Sequence, residues 1–90
     1  MEERLGEGDF TLEKLFKDYY PRLCFFAFQF LANKEEAEDV SQEAFITFWN
    51  NRESLAIPPS AVKKFLYSSV RNACLNKLRR QKVVQKYLSL

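Results

Sequence analysis

Histidine is missing altogether from this 90-residue chain. Cysteine occurs only as Cys24 and Cys74, with no pair at ligand spacing. A zinc site is not expected on that basis, and no metal ligands or cofactor are assigned. Both cysteines sit in apolar, helix-like segments and read as reduced core thiols. Glycine occurs twice and proline three times, too few for a turn-rich all-β domain. The longest apolar run, Leu23 to Ala32, is interrupted by Gln29 and falls short of the ~20 residues a membrane span needs. The chain opens on Met1-Glu2-Glu3 rather than on a basic, then apolar, signal segment. A cytosolic location is expected. Finally, no acid follows Glu53.

What is present is a dense supply of core-forming side chains. The chain is 47% hydrophobic and 16% aromatic, with nine phenylalanines, which argues against general disorder. Its length allows one small domain, and a chain of this size buries only about 60–65% of its unfolded surface. Charge is divided along the sequence. Up to Glu53, twelve acids face six cations; beyond it stand eight cations alone, Lys63, Lys64, Arg71, Lys77, Arg79, Arg80, Lys82 and Lys86. The formal net charge of +2 conceals this division. A basic arm suits a polyanion, and an acidic segment suits a basic protein surface.

The pattern predicts helices. Residues 1–8 hold both glycines and read as a frayed leader. Phe10, Leu12, Leu15, Phe16 and Tyr19 recur at helical spacing after an N-cap at Asp9 or Thr11. Pro21 should kink or restart that helix, and the run from Leu23 to Leu31, apolar nearly all round, should be the most buried one. Asn33-Lys34-Glu35-Glu36 resembles a capping box and opens a helix to about Asn50. Residues 51–60, with Pro58-Pro59, read as a loop. Ser60 then caps a last helix from Ala61 to beyond Lys77, as far as Tyr87. The fold class is all-α, a compact three- to four-helix bundle.

Two surfaces stand out. In Lys34 to Asn50 the residues Ala37, Val40, Ala44 and Phe48 form one inward stripe. Phe45 and Trp49 are i, i+4 partners on another face, beside Glu38, Asp39, Gln42 and Glu43. This reads either as a wide core stripe with a solvated acidic flank or as a docking face of aromatic anchors ringed by acids. In the last helix Val62, Leu66, Val70, Ala73, Cys74 and Leu78 face the core. Lys63, Arg71, Arg79 and Lys82 project elsewhere, with Phe65, Tyr67 and Asn72 mixed in among them. Cations can hold phosphates, rings can stack on bases and an amide can read a base edge. An ordinary solvated basic face is the other reading.

The string Ala37-Glu38-Asp39-Val40-Ser41-Gln42-Glu43-Ala44-Phe45, followed by Phe48-Trp49, resembles the core-binding segment of bacterial sigma factors, in particular the extracytoplasmic-function (ECF) subgroup of the sigma-70 family. Phe65-Leu66-Tyr67, Arg71-Asn72 and Arg79-Arg80 are similar to that family's promoter-reading helix, and Phe16, Tyr19-Tyr20 and Leu23 fit its first helix. The resemblance covers roughly residues 9–82. It implies a non-enzymatic region 2 domain over residues 9–90, a fragment of a protein about twice as long that lacks its C-terminal −35-binding domain. Glu38, Asp39, Gln42, Glu43, Phe45 and Trp49 would face a coiled coil of the RNA polymerase β′ subunit. The loop from Arg52 to Pro59 and the start of the last helix would receive a base flipped from the unpaired non-template strand of the −10 element, with Asn72 near that pocket. Lys63, Lys64, Arg71, Arg79 and Arg80 would hold phosphates. An anti-sigma protein covering both faces is the family's habit. Phe65 stands where the family usually has Trp, and Ser69 where it has a larger apolar residue. From the residues alone, a generic helical duplex-DNA binder and a protein-interaction bundle are the alternatives. No nucleophile–base pair or phosphate loop is visible that would suggest an enzyme.

Overall fold

The computed structural model describes residues 12–89, so the leader at 1–8 and the caps at Asp9 or Thr11 lie outside the described residues. Four α-helices and a single 3-10 turn make up the fold, with no strand among the described residues. Helix α1 spans Leu12–Leu31, α2 Lys34–Asn50, α3 Arg52–Leu55 and α4 Val62–Leu88, with the 3-10 turn at Pro59–Ala61 just before α4. The all-α bundle expected from periodicity is the observed architecture.

Helix α1 continues unbroken through Pro21 and does not restart there. Pro21 and Lys17 are both exposed, so the carbonyl that loses its donor lies beside solvent and water can satisfy it. The helix closes at Ala32, whose N–H donates to the Phe28 carbonyl at 2.8 Å while its own φ is 51°. Only Ala32 and Asn33 separate α1 from α2, which makes the two helices antiparallel neighbours. Asn33 caps α2: its side-chain oxygen accepts from the Glu36 N–H at 2.9 Å. Glu35 and Glu36 occupy the first turn, as the dipole favours.

The segment 51–60 is more ordered in its path than a plain loop. Arg52–Leu55 adds one helical turn, closed by Ala56 at φ 48°, ψ 42°. Pro59 opens the 3-10 turn, and the Ala61 N–H donates to the Pro58 carbonyl at 2.9 Å. Ser60 therefore lies inside that turn and does not cap α4, whose cap position is Ala61 with no side-chain hydrogen bond. The two fixed proline φ angles impose this tight entry in place of a serine cap.

Helices α1, α2 and α4 enclose one core. Leu23, Ala27, Leu66, Val70 and Cys74 are fully buried, and Val40, Val62, Ala37, Phe45 and Phe48 nearly so. Each large side chain removed from water in this way contributes about 1.5–3 kcal/mol. Ser41 is the one buried polar side chain among the described residues, and its hydroxyl donates to the Ala37 carbonyl at 2.8 Å. Helix α4 runs antiparallel to α2: Phe65 meets Phe48 near one end, and Lys77 meets Asp39 near the other. Helix α1 is less enclosed than its apolar sequence suggests. Phe25 is 71% and Phe28 45% exposed, because two neighbouring helices cover only one side of it. Past Leu78, α4 projects beyond the bundle, and residues 79–89 are all exposed.

Candidate functional site

The acidic flank of α2 divides around an outward line. At about 100° per residue, Glu38, Gln42, Phe45 and Trp49 lie toward α1, and Asp39 and Glu43 toward α4. On the α1 side, Gln42 donates from Nε2 to the Tyr20 hydroxyl at 3.1 Å. Tyr20 stacks on Phe16 with centroids 4.3 Å apart, and Phe16 in turn tilts onto Phe45 at 5.3 Å. Burial pushes the Tyr20 hydroxyl above its ordinary pKa, with the Gln42 hydrogen bond acting the other way. On the α4 side, Asp39 reaches Lys77 at 4.0 Å. The carboxylate there is 69% exposed, so the pair is weak and screened.

Phe45 does not stand on the exposed flank as expected. It is 2% exposed and belongs to the core. The inward stripe of α2 is wider than the 3-4-4 pattern, because α1 packs beside α2 and covers the Phe45 position through Phe16. The apolar side chain that does face solvent in this flank is Ile46, 57% exposed. Its signal in the sequence was its place four residues after Gln42 and three before Trp49. Trp49 is half-buried, and its ring carries the Arg52 guanidinium at 4.0 Å from the centroid. Glu38 is half-buried, while Asp39, Gln42 and Glu43 are exposed. Tyr20, Phe16, Ile46 and Arg52 are thus members of this surface that pattern reasoning did not assign to it.

On α4, Lys63, Lys64, Arg71, Asn72, Arg79 and Arg80 are all exposed. Lys64, Arg71, Arg79, Lys82 and Lys86 fall on the side turned away from the core. They form a track rather than a cluster beside the preceding turn: from Lys63 to Lys86 the helix advances roughly 34 Å. Arg79 is held by a hydrogen bond to the Asn76 side chain. The two rings assigned to base stacking are half-buried and engaged. Phe65 tilts on Phe48 at 5.8 Å, and Tyr67 meets Phe26 edge-on at 5.0 Å. They lie on opposite flanks of α4, since two residues turn the helix by about 200°. Asn72 is not brought to the 52–59 segment. It lines an open groove of about 350 Å³ between α2 and α4, with Glu43, Thr47, Ser69 and Asn76 around it and Val40, Ala44 and Ala73 also in the lining. The small Ser69 side chain helps keep that groove open.

Cys74 is buried, with its thiol 4.0 Å from the Ala27 carbonyl, and burial raises its pKa. Cys24 is half-buried and free. Among the described residues, no group of His, Cys, Asp or Glu could hold a metal ion, and no helix is long and apolar enough to cross a membrane.

Compared with known families, the chain matches Sigma-70 region 2 over residues 15–83, more than half of its length. No curated protein and no solved structure matches it significantly.

Proposed function

This chain belongs to the sigma-70 region 2 family and so serves transcription initiation; from that premise we propose that it docks on the β′ subunit of core RNA polymerase through α2 and recognises and helps melt the promoter −10 element through α4. Region 2 of a sigma factor is a non-catalytic domain, and its partners are core polymerase and promoter DNA. The observation that carries the finer reading is the separation of two chemically opposite surfaces. Glu38, Asp39, Gln42 and Glu43 surround exposed Ile46 and half-exposed Trp49 on α2. On the acid-free α4, Lys64, Arg71, Arg79, Lys82 and Lys86 lie on the side turned from the core.

In this reading Ile46 and the edge of Trp49 supply the apolar contact, and the carboxylates meet Lys or Arg of the coiled coil. Phe45 supports that surface from beneath. Lys63, Lys64, Arg71, Arg79 and Arg80 hold phosphates, and Asn72 contributes an amide from the groove between the helices. Flipping one base out of the stack costs a few kcal/mol, so protein contacts to the unpaired strand must offset it. The Ala-Glu-Asp string at 37–39 supports placement in the extracytoplasmic-function subgroup. An anti-sigma protein is then a further partner, one that would compete for the same two surfaces in the cytoplasm.

The test is the double variant Asp39→Ala, Gln42→Ala. It should lose association with core polymerase while far-UV helicity stays intact, because both side chains are exposed. Loss of helicity instead would make the flank structural and end the docking reading. A parallel titration with matched single-stranded and duplex −10 DNA should favour the single strand. Equal affinities with no polymerase binding would return the generic duplex binder.

A further inference from the structure

Arg52 lies just past the end of α2 and is the first residue of α3. It is the only cation between Lys34 and Lys63, and it borders a flank whose charged side chains, Glu38, Asp39 and Glu43, are all acidic. Its guanidinium sits 4.0 Å from the centroid of the Trp49 ring. Its Nη1 also donates to the Trp49 carbonyl oxygen at 2.6 Å. That carbonyl is one of the last-turn acceptors that α2 cannot satisfy within itself, at the negative end of its dipole. The Arg52 backbone is held too, since the Ala56 N–H donates to the Arg52 carbonyl at 3.1 Å. Trp49 is therefore gripped from two directions: it packs against the core cluster, and a planar cation covers its ring. Arginine suits this better than lysine, because a guanidinium stacks flat and donates in its own plane.

We infer that Arg52 is a positioning residue for the polymerase-facing surface: it clamps the Trp49 indole in one orientation and places a positive charge at the far end of an otherwise acidic flank. This rests on the docking reading above. It specifies the partner's chemistry further. Glu38 lies about 16 Å along α2 from Trp49. A docking helix should therefore offer cations opposite Glu38, Asp39 and Glu43, and a carboxylate or carbonyl opposite Arg52. The partner meets the edge of the indole, because the ring face is already occupied.

Trp49 is the only tryptophan, so its fluorescence anisotropy and near-UV circular dichroism report this contact without interference from another indole. The unaltered chain, Arg52→Gln and Arg52→Lys are compared for those signals and for affinity to core RNA polymerase. Arg52→Gln should lower the Trp49 anisotropy and its near-UV band, leave far-UV helicity unchanged and weaken polymerase binding about two- to fivefold. Arg52→Lys keeps a cation over the ring and should recover part of both losses. Unchanged affinity in Arg52→Gln, a loss that lysine does not recover at all, or a fall in helicity would each overturn the inference while leaving the docking reading standing. Failure of the unaltered chain to bind core polymerase would overturn both.

Discussion

Two alanines occupy backbone conformations that suit glycine. Ala32 has φ 51° and Ala56 has φ 48°. In the left-handed region a Cβ crowds the following carbonyl, at a cost of about 1–2 kcal/mol. At Ala32 the position follows the last turn of α1 and permits the immediate entry into α2. At Ala56 it ends the single turn of α3, and the chain then turns toward Pro58. Glycine would relieve the crowding but would gain freedom in the unfolded chain, an opposing effect of about 0.5–1 kcal/mol. Ala56→Gly should therefore raise stability by roughly 0.5–1 kcal/mol, read as a higher urea midpoint with unchanged slope. A lower midpoint would mean that the left-handed conformation carries no strain there.

At the scale of the helices, α2 works as a two-sided element, and Phe45 belongs to its inner side. It is 2% exposed, with Phe16 tilted over it at 5.3 Å. Phe45→Ala should cost about 3–5 kcal/mol of folding stability through the cavity it leaves, a large share of what a domain of this size commands. Polymerase binding should fall only in proportion to the unfolded fraction. An Ile46→Ser control, at a site 57% exposed, should change stability by no more than about 0.5 kcal/mol. A stable Phe45→Ala with selectively weakened docking would put the ring back on the interface. Helix α4 shows the opposite balance. Its first half is held by Val62, Leu66, Val70 and Cys74 in the core, whereas residues 79–89 are exposed. That second half relies on good helix formers such as Arg, Lys, Gln and Leu.

For the molecule as a whole, the division of charge along the chain becomes a division between helices, acids on α2 and outward cations on α4. Where the two helices meet, Asp39 makes a weak contact with the half-buried Lys77. Because the cations form a track, DNA affinity should fall steeply with salt. Removing Lys64 and Arg71 together (Lys64→Ala, Arg71→Ala), both exposed on the outward side, should reduce the slope of log affinity against log salt by about 1–2. An unchanged slope would remove them from the phosphate contacts.

Local order and family were legible in the residues themselves. Asn33 before Lys34-Glu35-Glu36 marked the start of α2, and the four-residue spacing of Val62, Leu66 and Val70 marked the inner side of α4. The Ala37-Glu38-Asp39 string pointed to the family that the match to residues 15–83 establishes. Caps and periodicity act over three or four residues, so one strand of sequence contains all their partners. Tertiary packing decided the rest. Whether Phe45 or Ile46 faces water depends on where α1 lies beside α2, and the distant residue Phe16 sets that. Whether Asn72 joins the 52–59 segment or the groove between α2 and α4 depends on the rotation of α4 about its own axis, which the packing of Phe65 on Phe48 and of Tyr67 on Phe26 holds. Helical spacing defines faces only relative to one another. Which of them is inside follows from the neighbours that arrive from elsewhere in the chain.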